Sequence, residues 1–144
     1  VTSKTLVLVH GAAYPPAALQ RSVLIVEDDR DMRELLAQVL ADEGYGVGTA
    51  EDGVGAIRYL RSHEPPKMIL LDWRMPKSDG IDFRRLQQAD AGLSQIPVVL
   101  MTGDLRVDDS SGQFGVAELL IKPIEVDRLL EVVSRYVGPP PGRQ

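Results

Sequence analysis

Residues 23–32 read VLIVEDDRDM, four branched or long apolar residues running straight into three acids. Val23, Leu24, Ile25 and Val26 have the pattern of a strand buried on both faces, as in a parallel sheet. Glu27, Asp28 and Asp29 then stand at the carboxyl end of that strand, where open α/β sheets build their sites. Acids crowded there repel: two like charges about 5 Å apart cost about 3 kcal/mol at an effective dielectric near 20. Something positive belongs among them.

The same punctuation recurs downstream. YGVGTA (45–50) is a short second strand weakened by its glycines, KMILLD (67–72) a third that again ends on an aspartate, IPVVLMT (96–102) a fourth, and ELLIKP (118–123) a fifth. Helical spacing fills the gaps. RDMRELLAQVLADEG (30–44) aligns Met32, Leu35, Leu36, Val39 and Leu40, with Asp29 or Asp31 to cap it and Gly44 to end it. DGVGAIRYLRS turns Ala56, Ile57 and Leu60 inward, IDFRRLQQAD turns Ile81, Phe83 and Leu86 inward, and EVDRLLEVVSRYVG carries Val126, Leu129, Leu130, Val133 and Val137. LRVDDSSGQFG (105–115) is poor helix material and predicts a short or irregular helix. Alternating strands and helices imply an α/β fold with one doubly wound five-stranded parallel sheet.

Composition bounds the rest. A chain of 144 residues, 44% hydrophobic and 26% charged, has room for one domain and short arms. A net charge of -5 argues against general nucleic-acid binding, and the lack of cysteine excludes disulfides and thiolate metal sites. No apolar run approaches the roughly 20 residues of a spanning helix. The stretch VTSKTLVLVHGAAYPPAALQR reads as an arm: its apolar run is too short for a secretory signal, and although LVLVHG is similar to the start of an α/β-hydrolase, no G-x-S-x-G follows. GPPPGRQ closes the chain as a tail.

If the strands are parallel, one rim of the sheet collects Glu27, Asp28, Asp72, Thr102 and Lys122. A single acid at a strand end is usually a helix cap or a solvated turn residue; one chemically useful group per strand is harder to obtain by chance. Three carboxylates suit a hard divalent cation such as Mg²⁺. Asp72 is then a nucleophile for a phosphoryl group, and Lys122 and the Thr102 hydroxyl hold the phosphoryl oxygens.

The blocks VLIVEDD, MILLDWRMPKSDG, PVVLMTG and LLIKPI resemble the receiver domain of two-component response regulators, over residues 22–137 with a 1–21 arm and a 138–144 tail. Asp28 to Asp72 is 44 residues and Asp72 to Thr102 is 30, spacings usual in that family. The resemblance implies a flavodoxin-like strand order 2-1-3-4-5 with helices on both faces. It implies that Asp72 is the phosphoacceptor, that Glu27 and Asp28 place Mg²⁺ (or Mn²⁺) with Asp72 and the backbone carbonyl of Arg74, and that Thr102 and Lys122 bind the phosphoryl group. A cis Lys122–Pro123 bond is common in relatives. Three departures stand out. Leu119 occupies the position where relatives often carry a switch aromatic, Gly103 follows the switch threonine where alanine is usual, and Thr102 to Lys122, at 20 residues, is slightly short.

The implied function is a cytoplasmic phosphorelay switch rather than an enzyme with an external substrate. The implied partners are a sensor histidine kinase or histidine phosphotransfer protein as donor and a downstream protein as target, with a homodimer also open and neither nucleic acid nor membrane bound directly. Two other readings stay open. One is a Mg²⁺-dependent aspartyl-phosphate phosphohydrolase, disfavoured because Arg74 stands where such enzymes carry a second aspartate. The other is an inactive receiver used as a binding module. Arg74 and Asp104 are expected either to be solvated or to bridge the pocket mouth, Trp73 to stack over the pocket or cover its loop, and His10 and His63 to have no phosphodonor role.

Overall fold

The computed structural model describes residues 7–9, 12–14, 21–73, 80–103 and 115–140. Their elements are β1 (Val7–Val9), β2 (Ala12–Tyr14), β3 (Ser22–Val26), α1 (Arg30–Asp42), β4 (Gly46–Ala50), α2 (Gly53–Ser62), β5 (Met68–Asp72), α3 (Gly80–Gln88), β6 (Val98–Thr102), β7 (Glu118–Ile121) and α4 (Val126–Val137). The expected irregular helix at 105–115 falls almost wholly outside the described residues, as do Arg74, Asp104 and His10. Within the N-terminal arm, β1 and β2 pair antiparallel as a separate two-stranded sheet, a pairing absent from the expected arm.

β3 to β7 pair entirely in parallel in the order β4-β3-β5-β6-β7, the expected 2-1-3-4-5 arrangement. Alternate strand residues feed two cores, which is why the strands read as unbroken apolar runs. Leu24, Val26, Ile69, Leu71, Val98 and Leu100 face α2 and α3 through Ala56, Ile57, Leu60 and Phe83. Val23, Ile25, Met68, Leu70, Val99 and Met101 face α1 and α4 through Leu36, Leu40, Leu129, Val132 and Val133. Asp29 caps α1 by accepting from the Met32 N–H at 3.0 Å, and Gly44, at φ 93°, follows its end. The Gly48 that weakens β4 as a strand has a packing reason: the Tyr59 ring lies where a side chain at position 48 would go. His63 stacks on the other part of this unit, its ring 3.8 Å from that of Tyr59, with Nδ1 3.0 Å from the Tyr59 carbonyl.

Three helical residues expected in the core are not there. Leu35 is 59% exposed, because it lies about 120° around α1 from the midpoint of Leu36 and Leu40. Val126 is 49% exposed at the first position of α4, whose buried face is rotated toward Leu129, Val132 and Val133. Leu86 is 51% exposed because α3 turns Arg84 and Gln87 inward beside Phe83. Arg84 Nη1 donates to Gln87 Oε1 at 2.6 Å and Nη2 to the Gly115 carbonyl at 3.2 Å. Gln87 Nε2 in turn donates to the Leu93 and Ile96 carbonyls at 2.9 and 3.1 Å, satisfying the loop that leads into β6. Among the described residues no helix is long and apolar enough to cross a membrane.

Candidate functional site

Strand register brings the acids together. Val26 is opposite Leu71, so Glu27 emerges beside Asp72; Asp72 is opposite Met101, and Thr102 is opposite Ile121. Backbone bonds continue this order past the strand ends, from Trp73 N–H to the Met101 carbonyl at 3.0 Å and from Lys122 N–H to the Thr102 carbonyl at 2.7 Å. All five groups therefore share the carboxyl rim of the sheet, one adjoining each of β3, β5, β6 and β7, with two acids from β3.

Glu27, Asp28 and Asp72 each offer a carboxylate oxygen, and these atoms lie within 4.8 Å of one another. Glu27 and Asp72 are buried while Asp28 is exposed. Lys122 supplies the positive charge that such crowding demands, its Nζ donating to Glu27 Oε1 at 3.0 Å and Asp72 Oδ1 at 3.3 Å. The Lys122–Pro123 bond is cis. Burial works to lower the Lys122 pKa, but the hydrogen bonds and charges of Glu27 and Asp72 outweigh it and leave it raised. Glu27 moves the other way from charge: burial first, then its contact with Asp72, push its pKa from 4.5 up to about 8 against the pull of Lys122. Its second oxygen, Oε2, is buried and makes no hydrogen bond among the described residues. An all-oxygen donor set with one orphaned carboxylate oxygen suits a hard cation such as Mg²⁺.

Thr102, 2% exposed, ends β6 beside Lys122. Gly103 is exposed, and among the described residues a methyl group there would meet only the Lys122 side chain, at an ordinary 4.0 Å. Leu119 is half-buried against the α2–α3 core. Trp73, 8% exposed, belongs to that same core. Arg33 also reaches this turn, its Nη1 donating to the Glu27 and Asp28 carbonyls at 2.9 and 3.4 Å; nothing in helical spacing marks such a backward reach.

Residues 23–134 match the family model described as the response regulator receiver domain. The chain belongs to that family. This receiver is 32% identical over 127 residues to the phosphate regulon transcriptional regulatory protein PhoB of Klebsiella pneumoniae, an alignment covering 84% of the chain and 55% of that relative. It is 31% identical over 122 residues to sporulation initiation phosphotransferase F of Bacillus subtilis, covering 83% of the chain and 95% of the relative. The chain thus spans about half the length of the first curated relatives it matches, and nearly all of others. Among solved structures, the receiver domain of a Pseudomonas aeruginosa sensor histidine kinase, with a magnesium ion coordinated in its active site cleft, superposes with a TM-score of 0.75. That pair is 28% identical, with 82% of this chain and 98% of the other covered. Receivers are signalling modules of two-component systems, and the acidic cluster of Glu27, Asp28 and Asp72 is the kind of pocket in which they bind Mg²⁺.

Proposed function

We propose that this receiver takes a phosphoryl group from a sensor histidine kinase or a histidine phosphotransfer protein onto Asp72, and that the adduct alters a surface read by a downstream protein. The observation that carries this reading is the Lys122 ammonium bonded at once to Glu27 and Asp72, with the third acid, Asp28, within 4.8 Å of both. It is the arrangement of an acceptor, a charge-compensating amine and an acid pair, reached from three separate strands.

An Asp72 carboxylate oxygen attacks phosphorus, a P–O bond forms as the donor's N–P bond breaks, and the leaving imidazole nitrogen keeps the electron pair. Lys122, held protonated by its acidic neighbours, already stands 3.3 Å from the acceptor and can turn its N–H groups to the phosphoryl oxygens. Thr102 brings its hydroxyl to the same rim and, linked through its carbonyl to Lys122, can convey the change along β6 and β7. Glu27, Asp28 and Asp72, with the backbone carbonyl of Arg74, would hold Mg²⁺ (Mn²⁺ could substitute). When bound, the ion supplies charge neutralisation for the acids and a phosphoryl oxygen. Leu119 rules out an aromatic switch at that position, so the state is read out by aliphatic repacking or by a differently built device. In this reading the receiver promotes only its own dephosphorylation and turns over no external substrate. It acts in the cytoplasm, where kinases draw on ATP, and reaches its target, or a second copy of itself, through protein contacts rather than nucleic acid.

Incubation with acetyl phosphate and Mg²⁺ followed by intact mass measurement tests this. A single phosphate adduct that disappears in Asp72→Asn is expected. Rapid consumption of acetyl phosphate without an adduct supports a phosphohydrolase instead, and no reaction supports a phosphorylation-independent binding module.

A further inference from the structure

Two of the three clustered acids sit where the chain has just left the sheet. Glu27 is the last residue tied to it, through its N–H to the Ala50 carbonyl at 3.1 Å, and by Asp29 the backbone has become the cap of α1. Between these anchors the Glu27 and Asp28 carbonyls no longer belong to the β3 ladder. Ionised, as ligands of a cation must be, the acids of this turn repel each other and Asp72, and repulsion in a turn is relieved by moving the turn.

Arg33 opposes that movement. It lies one turn into α1, with its N–H on the Asp29 carbonyl at 2.9 Å, and its side chain reaches back so that Nη1 meets the Glu27 carbonyl at 2.9 Å and the Asp28 carbonyl at 3.4 Å. The Arg33 side chain is only 13% exposed. An ion pair with Glu51 does not explain the position, because that contact is 3.9 Å long and Glu51 is 79% exposed. Hydrogen bonds from a charged donor to backbone carbonyls are among the stronger ones, and outer contacts of this kind orient metal ligands.

Resting on the reading of the site given above, we propose that Arg33 is a positioning residue for the acid pair: by clamping the Glu27 and Asp28 carbonyls to α1, it holds their carboxylates at the spacing a divalent cation needs. Arg33 touches neither the cation nor the phosphoryl group. Its effect is on cation affinity, and it acts through the backbone.

Calorimetric titration of the metal-free protein with Mg²⁺ tests this on wild type, Arg33→Ala and Arg33→Met, with circular dichroism confirming that each is folded. Methionine keeps an apolar stem over the turn and removes the donor. Both variants are expected to bind Mg²⁺ about tenfold more weakly than wild type. Wild-type affinity in Arg33→Met overturns the clamp, whether or not alanine weakens binding, since the stem alone would then suffice. A wild type that binds no Mg²⁺ overturns the reading of the site itself, and the clamp with it.

Discussion

Replacing Glu27 by glutamine should make the metal-free protein more stable, and the gain should grow with pH. The side chain is 1% exposed, and burial together with Asp72 raises its pKa from 4.5 to about 8, so the folded state takes up a proton that the unfolded chain has already released. Stability falls with rising pH wherever the native state binds more protons than the unfolded one, here between pH 4.5 and about 8. Each unit in that window costs about 1.4 kcal/mol, which amounts to about 3 kcal/mol at pH 7 relative to pH 4. Glutamine keeps an oxygen to accept from Lys122 Nζ and carries no charge to desolvate. Urea titrations in chelator should therefore show the Glu27→Gln advantage emerging above pH 5, rising to about pH 8 and levelling off. Saturating Mg²⁺ should close the gap by stabilising wild type alone, by about 2.7 kcal/mol at a hundredfold excess over Kd. A difference between the two proteins that does not change from pH 5 to 8, or a wild type that is the more stable at pH 8 without metal, would refute the account of a buried, charge-starved carboxylate awaiting a cation.

Three further outcomes follow from the fold. Gln87→Leu should lower stability by about 2–3 kcal/mol in urea unfolding, because it strips the Leu93 and Ile96 carbonyls of their donor and Arg84 Nη1 of an acceptor in a buried site. Gly48→Ala should cost about 1–3 kcal/mol by driving the Tyr59 ring off β4, and a thermal scan showing no loss would contradict the packing described. Glu118, whose pKa is lowered by Arg135 first and then by Tyr136 and Arg128, adds stability above its unfolded pKa that is lost as pH falls through the folded value. Glu118→Gln should accordingly flatten the acid limb of the stability profile below pH 4.5 and leave its neutral side nearly parallel to wild type.

The strands were legible because a strand covered on both faces is written as a continuous apolar run, and because the runs of β3, β5, β6 and β7 each stop at a residue with chemistry; their order followed only from the resemblance to receiver domains. Asp72, Lys122 and the Glu27–Asp28 pair were found by those stops, and the structure bonds Lys122 to Glu27 and Asp72 with an Asp28 carboxylate oxygen within 4.8 Å of theirs. The helices were legible in place and length but less so in rotation. A stripe of apolar residues marks a broad face, so Leu35, Leu86 and Val126 all fit the pattern yet stand exposed.

The polar side chains that tie loops and turns to the helices escaped altogether. Arg84 and Gln87 read as the solvated side of a helix until Gly115, Leu93 and Ile96 present carbonyls to them, and Arg33 reads as surface until the β3–α1 turn folds back over it. Sequence alone determined where the chain is buried and where its carboxylates gather, since apolar runs and the acids that end them are local features. Which polar side chains go inside, and which acid carries the burden of burial, was decided only by the tertiary structure, because a hydrogen-bond partner or a neighbouring charge is supplied by residues far away along the chain.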